Sequence, residues 1–505
     1  MTEPPRRLLA ALLLMACAGS AVALTPPETR GKALYFGGIG SGGRPIKALL
    51  AGGSEPIEAD TVPCAGCHGE DGRGRSEGGI VPGDITWSSL TKPYGHSHGT
   101  HRKHPAFNER SLAAAVSKGV DPAGNALDPI MPRYVLSRAD LAALTAYLKR
   151  IESDPPPGIE GDRLRLGVIV PLQGPQEPAG RDLLALLTAY LDDMNSRGGI
   201  YNRRIELVTA EATPDRQQTL ANARRLVTDT PVLAVIGALI PAHEAAVAEL
   251  LERAGVPLIG AVSDFPLVTG RTGFYLAEGL PARLRALLDR AGSGLLPAAP
   301  RLAVIHPDGE GYRPLLEALD TAAGARNWPR PLRPADAGGD SADAVVFIGS
   351  DTELATYIAG HRDVDHPLYL FLPTGAAVGG ALFDLPAEVT GRILIGLPFP
   401  PPDPANAALR GWQREAGVGD RSRYAEALVL GAAQVVTEGL KRAGSDLSRA
   451  KLVAALESLG TIEPAPLPQL SFGASRHVGR VGASVVAIDR AHRRFRELGG
   501  SVPAP

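Results

Sequence analysis

Cysteine is scarce in this chain of 505 residues: there are three, at positions 17, 64 and 67. Two of them stand three apart in one short motif, and the third lies in an apolar stretch near the start. No pair is left over for a structural disulfide, so the fold must rest on its cores. A strong charge of either sign is also missing. With 52 basic and 54 acidic residues the net charge is −2, which gives no footing to nucleic acid or an acidic polymer. Past the first 24 residues no stretch is long and apolar enough to span a bilayer. Methionine is rare too, at four residues. What remains is ordinary globular composition, 44% hydrophobic and 21% charged, over a length that suggests about three domains.

Residues 1–24 read as an export segment. Arg6 and Arg7 give a positive start, residues 8–15 an apolar run, and Ala21-Val22-Ala23 a small-x-small cleavage site. A second reading is open: Leu14-Met15-Ala16-Cys17 resembles a bacterial lipobox, which would leave a lipid on Cys17 and bring the protein to a membrane surface. Either reading places the protein outside the cytoplasmic membrane, in the periplasm.

The chain is organised around Cys64-Ala65-Gly66-Cys67-His68. Two thiols about one helical turn apart can add to the two vinyl groups on one edge of a porphyrin. A histidine directly after them then sits under the iron and donates a ring nitrogen. A structural zinc site would need a second ligand pair, and no other cysteine pair exists. A thioredoxin-like redox pair would need a surrounding βαβ pattern, whereas glycine and proline surround this motif. The expected cofactor is one covalently attached haem c, on Cys64 and Cys67 with His68 as axial ligand.

The iron's sixth position points to methionine. Met1 and Met15 belong to the export segment, and Met194 sits in a helical pattern of a different domain. Met131 remains, between prolines that stiffen its loop, in Pro129-Ile130-Met131-Pro132. Helical patterns occupy 29–36, 111–118 and 138–151, the last with apolar residues at 141, 144, 147, 148 and 151. Together these features make residues 29–151 resemble a class I c-type cytochrome: N-terminal helix, CxxCH, methionine loop, C-terminal helix. The resemblance implies a small all-α fold, one haem and single-electron transfer. Four histidines, His96, His98, His101 and His104, fall in a segment punctuated by glycine and proline. A metal site or an alternative iron ligand is one reading; a solvated basic loop fits the composition better. The net charge of +3 over 25–151 names no partner.

Residues 152–162 (ESDPPPGIEGD) form a proline-rich linker. Beyond it strands alternate with helices: strands at 165–170, 205–210, 233–237 and 257–261, helices at 181–196, 216–229 and 242–254. The rhythm restarts with strands at 302–306, 344–349, 368–372 and 392–396, followed by long helices at 424–443 and 449–459 and a strand at 481–488. Such alternation means parallel sheets flanked by helices, here in two lobes around a cleft. The runs RLGVIVPLQGP, YLDDMNSRGGIYNRRIELV, AVIGALIPAHEAAVAELLERAGVPLIGAVSD, YAEALVLGAAQVVTEGLKRAG and LPQLSFGASRHVGRVGASVVAID resemble, in that order, a type I periplasmic binding protein of the branched-chain amino-acid-binding kind. The expected fold is therefore multidomain, a small all-α cytochrome c domain over 25–151 followed by a two-lobed α/β domain over 163–498.

That second resemblance implies a small polar solute held between lobes that close about a hinge. Amino-acid binders of this kind place hydroxyls and free backbone N–H groups after the third and fourth strands to hold the ligand carboxylate. Here the third-strand loop, Leu239-Ile240-Pro241-Ala242-His243, has no hydroxyl, and the fourth offers Ser263 beside Asp264, which would repel a carboxylate. Gln173, His243, Ser263, Asp264, Tyr312 and Thr374 are the cleft candidates by position. No nucleophile–base arrangement stands out, so the chain is not expected to be an enzyme. The expected function is periplasmic electron transfer with a dehydrogenase or oxidase as redox partner and a small solute in the second domain. The alternatives are a transport receptor carrying a redox domain, or the electron-accepting subunit of a periplasmic dehydrogenase.

Overall fold

The computed structural model describes residues 24–50, 55–74, 82–98, 102–241, 243–267, 270–307, 310–333, 342–361, 367–374, 380–400, 402–403, 405–419 and 422–499. The export segment and His101 lie outside them. None of the described helices is long and apolar enough to cross a membrane. The chain forms two compact units. The first runs to Pro156 and includes Glu160–Asp162; the second comprises Pro157–Ile159 and the chain from Arg163 onward.

In the first unit the helix Pro26–Gly37 opens on a Thr25/Glu28 capping box, with proline where no N–H partner is needed, and stops at Gly38, whose φ is +64°. It packs on the helix Arg138–Arg150, which Ser137 caps by accepting from the Asp140 N–H. The pair approaches so closely at Gly31 that an added Cβ would lie 2.1 Å from the Ala143 carbonyl oxygen. Leu34, Tyr35, Leu144, Tyr147 and Leu148 form the core there, joined by Leu112, Ala115 and Val116 of the helix Glu109–Lys118. Helices thus supply the core, as expected. A small antiparallel sheet, in the order 57–58, 47–49, 133–135, is added to them. Strands of two or three residues have no periodicity for a sequence to display.

The proline-rich stretch is anchored at both ends. Ser88 donates to Glu152 (2.8 Å), Tyr147 to Asp154 (3.0 Å), and Lys32 pairs with Asp154 at 2.5 Å, while Ile159 is buried in the core of the second unit.

The second unit has two lobes. The first lobe's sheet has a parallel body running Gly273–Phe274, Leu258–Ile259, Ala234–Ile236, Arg163–Val170, Arg204–Glu211, and the short strand Ile159–Glu160 also borders Arg163–Val170. The second lobe's sheet runs Leu302–Ile305, Ala344–Gly349, Leu368–Pro373, Ile393–Leu397, then Ser484–Asp489 and Arg494–Glu497 antiparallel at one edge. Each sheet is covered on both faces by separate apolar clusters, which explains why the strand sequences are apolar runs rather than alternating patterns. The chain leaves the first lobe after Leu276, returns to it at Phe399 with the helices Ala407–Ala416 and Arg423–Ala443, and leaves again before Ala483. The helix Arg423–Ala443 is buried over most of its surface; Gln434, Glu438, Lys441 and Arg442 mark the one narrow polar side it keeps. Three crossings bring loops of both lobes to the strand ends where the cleft candidates lie.

Candidate functional site

Cys64–His68 is one short helix entered from Pro63. A spacing of three puts both thiols on one helical face. Both are unpaired, Cys67 exposed and Cys64 half-buried. The Cys64 thiol lies by the Tyr134 hydroxyl, and burial pushes it up to about 12, so it is held as the neutral thiol. His68 follows with its Nδ1 2.9 Å from the Gly83 carbonyl oxygen. A carbonyl only accepts, so Nδ1 carries the proton and Nε2 keeps its lone pair. Burial holds the imidazole below its usual range, against the opposing pull of Gly83 and Asp84. The ring is therefore neutral, as a metal ligand must be.

The loop beyond is tied back to this helix: Gly74 N–H donates to the His68 carbonyl (2.9 Å), and Tyr35 donates to the Gly69 carbonyl (2.7 Å). Val62, Cys64 and Ala65 pack against the apolar core of this unit, as do Ile85, Trp87, Leu127 and Leu136. Unpaired thiols on one face, a neutral imidazole with one nitrogen tied and the other available, and a motif seated against an apolar core together fit a covalently held porphyrin.

Met131 is half-buried at the end of a turn in which its N–H donates to the Asp128 carbonyl (3.2 Å). The Arg133 guanidinium donates to the Met131 carbonyl and to those of Leu127 and Asp128 (3.3 Å each). This clamp on the methionine loop escaped the sequence reading. Its one local sign is Gly119, where a Cβ would strike the Arg133 Nε at 2.0 Å.

The histidine segment is more ordered than a solvated loop. His96–Ser97 pairs antiparallel with Lys103–His104, His104 is buried, and the His98 and His104 Nε2 atoms are 3.0 Å apart. Among the described residues no group of three or more His, Cys, Asp or Glu side chains is arranged to hold a metal ion.

In the second unit the structure joins some of the cleft candidates and leaves others apart. Ser263 and Asp264, after the fourth strand of the first lobe, meet Glu244 at the start of the helix Glu244–Arg253. The Ser263 hydroxyl donates to Glu244 Oε1 and the Asp264 N–H to Oε2 (3.2 Å). Asp264 also accepts from Arg283 (2.9 Å), whose other arm reaches the Pro373 carbonyl (2.9 Å). Arg283 stands on the first helix of the second lobe and Pro373 ends a strand of that lobe, so this pair bridges the lobes. Phe265 packs against the second lobe's core, with Tyr312 edge-on at 6.0 Å. Burial and the Asp264 charge push the Tyr312 phenol up to about 12, while Thr374, its hydrogen-bond partner, pulls the other way. Ser263, Asp264, Tyr312 and Thr374 thus share one place. His243 is turned aside, its Nε2 2.7 Å from the Pro214 carbonyl, and Gln173 is exposed on the turn after the first strand.

Sequence reasoning missed Glu244 and Arg283. Each meets its partner across 19 residues, and nothing local marks either one. Burial pushes the Glu244 carboxyl up to about 7, reinforced by the Asp264 charge and opposed by Ser263 and the N–H groups of Asp264 and Phe265.

A model of the periplasmic binding protein family matches residues 163–493. The chain belongs to that family. Ahead of the binding domain it carries a cytochrome c domain, matched over residues 60–152, and cytochrome c domains imply haem c.

Curated relatives of this periplasmic binding protein include the Leu/Ile/Val-binding protein homologs 7 and 8 of Brucella abortus. Homolog 7 is 30% identical over 117 residues, 23% of this chain and 29% of the relative. Homolog 8 is 30% identical over 156 residues, 29% and 38% respectively. The matches thus span less than two fifths of those relatives.

Similar solved structures include a substrate-binding periplasmic protein from Ralstonia solanacearum (19% identity, TM-score 0.53, covering 66% of this chain and 99% of that one). Others are a fatty acid ABC transporter substrate-binding protein from Thermomonospora curvata (17%, 0.55, 70% and 95%) and a branched-chain amino acid transporter substrate-binding protein from Streptococcus pneumoniae, solved with isoleucine (16%, 0.52, 68% and 100%). At these identities the likeness is one of fold. Proteins of both families are typically exported.

Proposed function

We propose that this protein is a periplasmic electron carrier whose second domain binds a small solute. Cys64 and Cys67 hold one haem c covalently, His68 and Met131 are its axial ligands, and the chain performs no catalysis of its own. The observation that carries this reading is the tied His68 ring: with Nδ1 committed to Gly83, only Nε2 is left to ligate, directly beside two unpaired thiols. Bound there, the haem supplies a one-electron couple. The protein's part is to fix the imidazole, to brace the Met131 turn through Arg133, and to seat the motif against the apolar core of the unit. The redox partner is a dehydrogenase or oxidase of the same compartment. Cys17 decides whether the protein is free there or held by a lipid.

The likeness to transport receptors favours a second reading, a receptor for an uptake transporter with the cytochrome as a redox attachment. Deleting residues 25–151 separates the two. A receptor keeps its uptake role without the haem domain; an electron carrier loses its function altogether, and retained uptake would overturn the first reading. Native mass spectrometry of the protein from its own periplasm shows the solute directly.

A further inference from the structure

The donors at the end of the first lobe's fourth strand converge as they would on an anion. The Ser263 hydroxyl and the N–H groups of Asp264 and Phe265 all point at one carboxylate, and that carboxylate is the protein's own Glu244. The cationic group beside them is taken in the same way: Arg283 is buried and spends its arms on Asp264 and the Pro373 carbonyl. A hydroxyl with two backbone N–H groups is a seat for a carboxylate, because each hydrogen bond to an ionised acceptor is stronger than one to a neutral acceptor. A solute carboxylate arriving here must either displace Glu244 from its donors, leaving that carboxylate unsatisfied, or approach the Glu244 charge directly. Both options are costly.

We propose that Glu244 is a built-in occupant of this anion seat, so that the cleft selects solutes presenting no carboxylate at this end. This rests on the reading of the cleft as a solute site and narrows its solute class to amines, alcohols or amides. The neighbouring side chains agree with that class: Phe265, Tyr312 and His306 lie ring against ring, at 6.0 and 6.2 Å, and the phenol is bonded to the Thr374 hydroxyl. The reason to exclude a carboxylate is therefore Glu244. Asp264, the obstacle expected from sequence, is offset by Arg283.

The test uses the full-length, haem-loaded protein at mildly alkaline pH, because burial pushes the Glu244 carboxyl up to about 7. Leucine, isoleucine and valine are titrated calorimetrically into the native protein, and no saturable binding is expected even at millimolar concentration. Micromolar binding of any of them would overturn the proposal, and this arm needs no variant. Glu244→Ala empties the seat, and acetate or formate should then fill it. Millimolar acetate is expected to raise the thermal midpoint of the variant saturably and to leave the native protein unchanged. Equal effects of acetate on both proteins, or none on a folded variant, would refute the seat. Adding Ser263→Ala to the variant should weaken the rescue by about tenfold, the loss of one charge-assisted hydrogen bond. Failure of the broader reading looks different. If native mass spectrometry and a panel of branched amines and alcohols find no solute while acetate still rescues Glu244→Ala, the cleft is no receptor site but the seat stands.

Discussion

Gly31→Ala tests whether the close pair of helices, Pro26–Gly37 and Arg138–Arg150, holds the haem domain together. Two effects oppose each other. Alanine is the better helix former by about 1 kcal/mol. Against that, its Cβ would lie 2.1 Å from the Ala143 carbonyl oxygen and 2.6 Å from the Tyr147 Cβ. Neither atom is the end of a flexible side chain, so the helices must part by about 1 Å to restore contact. Overpacking of this kind costs about 1–3 kcal/mol, and a collision with backbone on a buried face belongs at or beyond the upper end. The steric effect wins by about 2 kcal/mol.

For a unit of this size such a loss lowers the thermal midpoint by about 5–10 °C, followed by far-ultraviolet circular dichroism and by the haem absorption together. The displacement should also reach the haem motif, because Tyr35 of the first helix holds the Gly69 carbonyl just after His68. A change in visible dichroism would report it. Gly37→Ala in the same helix is the control, since its Cβ meets only Ile39 at an ordinary 3.4 Å; it should be neutral or slightly stabilising. A Gly31→Ala protein as stable as its parent would refute the close-packing argument.

Met131→Ala should abolish the weak near-infrared sulfur-to-iron band of the oxidised protein and lower the reduction potential, since thioether ligation favours ferrous iron; an unchanged spectrum would remove Met131 as ligand. Asp140 is buried, yet four hydrogen bonds from Ser137 and Ser41 outweigh that burial and hold its carboxyl down to about 2. Its contribution of about 2 kcal/mol is therefore complete above pH ~4 and lost as pH falls through ~2, so acid titration of stability should flatten in that window in Asp140→Asn. Asp264→Ala should cost about 3 kcal/mol by leaving the buried Arg283 uncompensated. Denaturant unfolding of the double variant with Arg283→Met should recover most of that loss, and strictly additive losses would argue against the bridge between the lobes.

Much of this protein is local enough to read in one dimension. Two cysteines and a histidine within five residues specify a helical face and its chemistry wherever the chain places them. A run such as Ala344–Gly349, covered on both faces, shows itself as unbroken apolar sequence. The helix Arg423–Ala443 is similarly plain, because burial over most of its surface demands apolar residues at most of its positions. The strand Gly273–Phe274 and the short strands around Ala48 carry no such signature, since two or three residues cannot show a period.

What only the tertiary structure decided is which polar groups are already satisfied. Asp264 reads from sequence as an exposed charge facing the solute, but folding gives it Arg283 from the other lobe. Glu244 reads as the first acid of a helix, but folding sets it against Ser263. Arg133 and the Met131 turn show the same logic within the haem domain. Hydrogen-bond partners brought from distant positions follow from topology rather than from neighbours in sequence. The chemistry left over for a ligand is the remainder after those pairings are made.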